Sequence, residues 1–124
     1  MRKSNYPALK REFLDRWSPR SFAKEPIFQE TLDTLFEAAR WAPSCYNDQP
    51  WTFLYANEEN DLEVFRSLLV EKNQKWANNA PVLSFLIARK NFAFNDRPNN
   101  WAVFDCGAAW MSLALQANTM GLAA

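Results

Sequence analysis

The chain has 124 residues, which is enough for one domain, and 48% of them are apolar, which is enough for a packed core. Its 14 basic residues balance 14 acidic ones, so no broad positive field is available to attract nucleic acid or anionic lipid. The absence of histidine argues against a zinc site and a Ser-His triad, and the absence of a long apolar run predicts a cytoplasmic protein without a membrane span.

The first half of the chain predicts two helices and a loop. One helix is expected from about residue 7 to residue 17, where apolar side chains recur at four-residue steps: Leu9, Phe13 and Trp17. A second helix is expected where a stripe has the spacing of one buried helix face: Leu32, Leu35, Phe36 and Ala39. Residues 43–50 then form a loop that begins and ends with proline.

The second half predicts two strands with a helix between them, and a long helix at the end. Residues 51–56 are rich in aromatic side chains, which favours a strand. A helix is expected after Asn60, which would cap it together with Glu63. Residues 82–88 form a nearly continuous apolar run, which predicts a strand buried on both faces at the centre of the sheet. Residues 101–120 predict a helix that ends at Gly121 in a left-handed cap.

These elements predict an α+β fold, a mixed or antiparallel sheet flanked by helices, in a single domain over residues 1–124. Two strands alone cannot satisfy their own edges or cover their own faces. We therefore expect the domain to be incomplete at its C-terminus, truncated after the long helix, with further sequence or another subunit completing the sheet.

The segment Arg16-Trp17-Ser18-Pro19-Arg20 is a candidate anion site. Two guanidinium groups flank a hydroxyl, and arginine offers planar, bidentate hydrogen bonds to phosphate. The alternative is that Arg16 favours the negative end of a helix dipole and Arg20 is a solvated surface charge. Spacing alone leaves both interpretations open.

Residues 42–51, Ala-Pro-Ser-Cys-Tyr-Asn-Asp-Gln-Pro-Trp, place hydroxyl and amide groups in a loop whose backbone is fixed by prolines. Such groups match the edge of a heteroaromatic ring, although a turn whose Asn and Asp bond the local backbone is an equal alternative. Cys45 has no histidine to activate it, so we interpret it as a small packing residue beside a ligand rather than a nucleophile.

Residues 73–81 are unusually rich in amides just ahead of the second strand. Amides in such a position are commonly solvated or cap a helix end, and a ligand contact is the alternative.

Together these segments resemble the N-terminal portion of the FMN-dependent nitroreductase family. The family opens with R-x-S-x-R/K, continues through A-P-S-x-x-N-x-Q-P-W, and later has an Asn ahead of an Ala-Pro-apolar strand. This sequence matches all three elements: Arg16, Ser18 and Arg20; residues 42–51; and Asn73 with Ala80 and Pro81. Residues 100–122 also resemble the family's long helix through their Asp-x-Gly and Leu-Gln-Ala elements.

The resemblance implies a flavin site shared between two chains. Arg16, Ser18 and Arg20 would bind the phosphate and ribityl chain of FMN, and Asn73 of the same chain would bond the isoalloxazine edge. Family members are intertwined homodimers with FMN at the interface, and a second set of residues would lie along the flavin from the partner subunit: Pro43, Ser44, Cys45 and Asn47. No residue is assigned a catalytic or metal-binding role.

The resemblance also implies the reaction. NAD(P)H would reduce the flavin and leave, and a nitroaromatic, quinone or similar small acceptor would then be reduced, in a ping-pong mechanism. The alternative is a non-catalytic flavin-binding or assembly fragment of the same fold. Family members continue beyond the long helix, which agrees with the expectation that this chain is incomplete.

Overall fold

The computed structural model describes residues 3–124, which form five helices, two strands and one 3₁₀ turn. The elements in chain order are α1 (Arg11–Asp15), α2 (Gln29–Arg40), the turn Cys45–Asn47, β1 (Trp51–Ala56), α3 (Glu59–Ser67), α4 (Glu71–Ala77), β2 (Leu83–Ala88) and α5 (Ala102–Thr119). The architecture is the predicted mixture of helices and a small antiparallel sheet. None of the helices within residues 3–124 combines the length and apolar character needed to cross a membrane.

The sheet is the antiparallel pair β1 and β2, with a register that runs from Trp51 opposite Ala88 to Ala56 opposite Leu83. Side chains of β1 alternate between partly buried and exposed positions up to Tyr55, as expected for a strand with one covered face. On the covered face Phe36 of α2 packs against Phe53 and Tyr55, with ring centroids 5.4 and 5.0 Å apart.

The core lies where α2 crosses α5. Leu32, Leu35 and Ala117 form one buried cluster, and Ala39, Ala42 and Ala109 form another. The buried side of α5 is made largely of alanines, whose small side chains allow close packing. Burial of a leucine such as Leu32, which is 2% exposed, stabilises the fold by about 1.5–3 kcal/mol.

The C-terminal end of α5 is closed by Gly121, as predicted. Gly121 has φ of +75°, and its N–H donates to the carbonyl of Asn118, while the N–H of Leu122 donates to Ala117. This pair of bonds is a Schellman motif, which satisfies carbonyls that the helix itself leaves unpaired. Leu122 then packs on the cluster of Leu32, Leu35 and Ala117.

The first helix is much shorter than predicted. It covers only Arg11–Asp15, buries no residue, and leaves Leu9, Phe13 and Trp17 each more than 40% exposed. Leu9, Phe13 and Trp17 have the spacing of one helix face, but no other element within residues 3–124 buries these side chains. Helix propensity alone rarely stabilises a helix of the predicted length.

The region from 58 to 77 also differs from the prediction. The N-cap of α3 is Glu58 without a side-chain hydrogen bond, Asn60 lies inside the helix, and the predicted capping pair is therefore wrong. Glu59 and Asp61 in the first turn favour this start through the helix dipole. The amide-rich segment proves to be largely a helix, α4, which its polar composition had concealed.

The expectation that the second strand is buried on both faces is not met in this chain. Ser84 and Ile87 are exposed, and within the described residues β2 pairs with β1 alone. Phe85 packs on Phe65 of α3 at 5.1 Å, whereas Leu86 faces a cavity. The apolar run therefore reflects surfaces that this chain covers only in part.

Candidate functional site

The segment that follows α1 has two chemically different sides. Trp17, Pro19 and Ser21 line an apolar cavity of about 590 Å³, together with residues of α2, β2 and the C-terminal part of α5. The intervening residues Arg16, Ser18 and Arg20 do not line it. Because an extended chain turns successive side chains to opposite sides, the apolar residues fix the segment and leave the polar ones for another contact.

Arg16 and Ser18 form one part of the predicted anion site. Nη1 of Arg16 lies 3.4 Å from Oγ of Ser18, at the outer limit for a hydrogen bond, and this hydroxyl lies 3.5 Å from the carbonyl of Ala124. Ser18 is exposed and Arg16 is half-buried. The structure therefore places a cationic and a neutral donor side by side at the surface.

Arg20 and Asn73 meet at Trp76 of α4. The guanidinium of Arg20 lies over the indole ring, 5.0 Å from its centroid, and Nε1 of Trp76 donates to Oδ1 of Asn73 at 3.3 Å. Phe22 contacts the same ring at 6.1 Å. Two residues predicted from separate motifs are thus joined by a third that the sequence analysis did not single out.

The loop at residues 43–50 has a strained backbone. Tyr46, Asn47 and Gln49 have φ of 55°, 55° and 47°, a region that residues other than glycine rarely adopt. Oγ of Ser44 accepts from the N–H of Gln49 at 3.0 Å, and Nε2 of Gln49 lies 3.3 Å from Oδ1 of Asn47. Such strain persists only where surrounding contacts enforce it, and it is concentrated at functional sites.

One contact that enforces this conformation comes from α5. The backbone N–H of Cys45 donates to Oδ2 of Asp105 at 3.0 Å, and Asp105 is buried, with 4% of its surface exposed. Pro43 and Asn47 are exposed, while Ser44 and Cys45 are half-buried. The predicted loop residues therefore lie at or near the surface, with Cys45 held by its backbone.

A second contact is the carboxylate of Asp48, whose side chain is 1% exposed. Oδ2 accepts from Nη2 of Arg89 at 2.8 Å and from Nδ2 of Asn99 at 3.3 Å, and Oδ1 accepts from the N–H of Ala93 at 2.8 Å. Burial acts to raise the pKa of Asp48, but the hydrogen bonds from Ala93 and Arg89 outweigh it and hold the pKa below its usual value. Asp48 thus ties the loop to residues 89–99.

Asp48 and Asp105 are not among the residues predicted from the sequence to form the site. Asp48 was considered only as a residue that bonds its local backbone, whereas its partners lie more than 40 positions away. Asp105 is a carboxylate among apolar neighbours in a predicted helix, and this pattern could have indicated its role. A buried carboxylate needs hydrogen-bond partners, so such a residue is expected to hold another segment.

Three aromatic rings lie beside the strained loop. Tyr46 is 80% exposed and packs edge-on against Phe92 and Phe94, at 5.8 and 5.7 Å, and the two phenylalanines lie 5.3 Å apart. Ala93 lies between the two phenylalanines in the sequence, and its N–H donates to the carboxylate of Asp48. The carboxylate therefore positions this aromatic cluster as well as the loop.

The two predicted groups of site residues are held by contacts with different elements. Arg20 and Asn73 meet at α4, whereas Cys45 and Asp48 are tied to α5 and to residues 89–99. The structure thus pairs Arg16 with Ser18 and joins Arg20 to Asn73 through Trp76, while Cys45 is anchored to a different element.

Comparison with known proteins identifies relatives along most of the chain. Residues 14–71 match the Nitroreductase family. A solved structure described as an oxidoreductase containing FMN is 48% identical, covers 97% of this chain and 62% of its own, and superposes with a TM-score of 0.90. A Streptomyces coelicolor protein named as an NADH dehydrogenase/NAD(P)H nitroreductase is 35% identical over 80 residues, which is 64% of this chain and 40% of the relative.

A Bacillus subtilis protein named FMN reductase (NAD(P)H) is 34% identical over 79 residues, which is 64% of this chain and 31% of the relative. The matched regions thus cover less than half of these two curated relatives and less than two thirds of the solved structure. The fold prediction is confirmed by the superposition, since a TM-score of 0.90 over 97% of the chain leaves few elements unmatched.

Proposed function

We propose that this chain, which belongs to the nitroreductase family, forms the FMN-binding part of an oxidoreductase that takes electrons from NAD(P)H and reduces a small acceptor. The observation that carries the proposal is the meeting of Arg20 and Asn73 at Trp76, a cation and an amide from separate segments on one surface. FMN has a phosphate at one end and a hydrogen-bonding ring at the other, and these two groups match its two ends.

FMN, when bound, would supply the redox chemistry: it accepts a hydride from NAD(P)H and passes electrons to a nitroaromatic, a quinone or a similar acceptor. A single site that first releases the oxidised nicotinamide and then admits the acceptor gives ping-pong kinetics. The residues of this chain would bind and orient the cofactor, and none is proposed to transfer a proton.

The donor set fits a phosphate. Arg16, Ser18 and Arg20 offer charge-assisted and neutral hydrogen bonds without any acidic side chain among them, so an anion would meet donors only. Trp17 and Pro19 hold the segment against the cavity wall, which keeps these donors on one side. Asn73 would bond the ring edge, about one helical turn from Trp76.

Loop residues Pro43, Ser44, Cys45 and Asn47 would contact a second FMN, bound mainly by the partner subunit of a homodimer. The loop is anchored to α5, whereas Arg20 is anchored to α4. This supports the assignment of the loop and of Arg20 to two different FMN molecules, so that each chain contributes to two sites. Helix α5 also carries large exposed apolar side chains at i, i+1, i+7 and i+8: Val103, Phe104, Trp110 and Met111. Exposed apolar surface of this extent on one helix favours a protein interface.

The cofactor proposal is tested by visible absorbance of the purified protein with FMN, before and after anaerobic NADH or NADPH. Bound flavin that bleaches, and recovers its colour with a nitroaromatic, supports the reductase. Bound flavin that never bleaches supports the alternative, a flavin-binding or assembly fragment. A protein that leaves FMN unbound refutes both.

Arg20→Ala is expected to weaken FMN binding by about 1–3 kcal/mol, the loss of a hydrogen bond to a charged group. Arg40→Ala is the matched control, because Arg40 also lies 5.0 Å from a tryptophan ring but outside the proposed site. Equal affinities of the two variants in a fluorescence titration would remove Arg20 from the phosphate site.

The homodimer is tested with Phe104→Asp, which places a charge at a side chain that is 76% exposed in the single chain. We expect this variant to sediment as a monomer and to lose flavin, since the loop contacts come from the partner. Val64→Asp, at an exposed apolar position of α3, is the control and should remain dimeric.

A cytoplasmic location stays a prediction of the sequence.

A further inference from the structure

We propose that Trp76 is a positioning residue that sets both ends of the flavin site, holding Arg20 for the phosphate and orienting the Asn73 amide for the ring. The inference rests on the proposed function and goes beyond it, since Trp76 lies within the amide-rich segment 73–81 but has no role among the predicted site residues. It follows from three contacts of one indole: Arg20 on its face, Phe22 at 6.1 Å and Asn73 at its nitrogen.

The face of the indole holds Arg20. The guanidinium lies 5.0 Å from the ring centroid, within the range of a cation–π contact, which at an exposed site amounts to about a two- to fivefold change in an equilibrium constant. Arg20 is itself exposed and would otherwise sample many rotamers. Held against the ring, it loses less freedom when it binds an anion.

The indole nitrogen orients Asn73. Nε1 is a donor only, so it selects the Oδ1 side of the amide as its partner, at 3.3 Å. The group that Asn73 then offers to a ligand is the Nδ2 amide, which is also a donor. Trp76 thereby specifies that the ligand presents an acceptor, such as a ring nitrogen or a carbonyl, to this position.

The indole also joins two segments that are remote in sequence. Arg20 and Phe22 come from the extended segment and Asn73 from α4, so the separation between the cationic group and the amide depends on one ring. Loss of both the ring face and its nitrogen is expected to change both ends of the site, whereas loss of either partner changes one end.

Two variants separate the two roles. Trp76→Phe keeps an aromatic face but removes the nitrogen donor, and Trp76→Leu removes both. The contribution of Arg20 is read from the ratio of FMN to riboflavin affinity, because the two ligands differ in the phosphate alone. The contribution of Asn73 is read from the reduction potential of the bound flavin.

We expect Trp76→Phe to keep the affinity ratio of the wild type while its potential moves in the direction that Asn73→Ala moves it. Trp76→Leu should lower the ratio about two- to fivefold and move the potential as well. The same two changes at Trp41 should alter neither readout. Trp41 is a matched control because Arg40 lies 5.0 Å from its ring and its Nε1 donates to Glu37 at 2.9 Å.

An unchanged ratio in Trp76→Leu, or an unchanged potential in Trp76→Phe, would overturn the inference while the proposed function stands. If Trp76→Leu does not fold, Trp76→Phe alone still tests the inference. A lower ratio of FMN to riboflavin affinity in Trp76→Phe would contradict the role assigned to the ring face. Wild-type protein that binds neither flavin would instead refute the proposed function, and the inference with it.

Discussion

Replacement of Asp48 tests whether a single buried carboxylate holds the strained loop in place. Asp48→Ala removes the acceptor for three donors, of which Arg89 is 45% exposed and can be rehydrated, whereas the N–H of Ala93 and the amide of Asn99 lose a buried partner. Because hydrogen bonds to a charged group contribute about 1.5–3 kcal/mol each and are not additive, we expect a loss of about 2–4 kcal/mol in the free energy of unfolding.

The dependence on pH follows from the lowered pKa of Asp48. In the unfolded chain the carboxyl group titrates near 3.8, and in the folded protein it titrates below that value. Its contribution is therefore complete above the unfolded pKa and is lost as the pH falls through the folded pKa. The difference in stability between the wild type and Asp48→Asn should be largest near neutral pH and should narrow in acid.

Urea unfolding followed by tryptophan fluorescence, at a series of pH values, measures these differences. Glu37→Gln is the control. Hydrogen bonds from Arg40 and Trp41 lower the pKa of Glu37 to about 2, but this pair lies at the surface, where ion pairs contribute little. The reasoning fails if Asp48→Ala unfolds at the wild-type urea concentration, or if Glu37→Gln is the more destabilised variant.

Three further experiments follow from the structure. Gly121→Ala should lower the free energy of unfolding by about 1 kcal/mol, because φ of +75° disfavours any Cβ although no atom lies within 4 Å of it, and a thermal melt measures the change. Alkylation followed by mass spectrometry should modify half-buried Cys45 before Cys106, whose thiol has a pKa raised by burial and by Asp105, and FMN should slow the reaction at Cys45 if the loop lies along the flavin. Asn73→Ala should shift the reduction potential of bound flavin, and an unaltered potential would contradict its assigned contact with the ring.

The elements that the sequence predicted correctly are those whose pattern and packing agree. Helix α2 has a buried stripe that meets α5, and β1 has alternating side chains of which one set meets Phe36, so local periodicity and tertiary contact favour the same structure. The end of α5 was predictable because a left-handed cap strongly favours glycine, and Gly121 supplies it.

The elements that were predicted wrongly are those in which the local sequence pattern and the tertiary contacts do not agree. The four-residue repeat around Phe13 found no element within residues 3–124 to bury it, and α4 forms although its polar sequence shows no apolar stripe. The local motif around Asn60 was overridden by the start of the helix two residues earlier. In each case the apolar periodicity of the segment does not determine whether or where the helix forms.

The candidate site shows the same limit. The motifs predicted which residues to consider, and the roles of those residues remain predictions. The groups that hold them, Trp76 for Arg20 and Asp105 for Cys45, lie about 60 positions away in the chain, and the sequence does not indicate which residues they contact. Supporting residues of this kind are recognised only when the fold has placed them.

Side chains alternate between two sides of the segment from Arg16 to Ser21. Which side each residue faces therefore depends on the length of the segment rather than on its composition. Exchange of Ser21 for another small residue would leave the other positions unchanged. Deletion of one residue between Trp17 and Arg20 would instead transfer the following side chains of this segment to the opposite side, directing a guanidinium towards an apolar cavity. Relatives that share this segment should therefore differ by substitution within it, while insertions and deletions accumulate on either side.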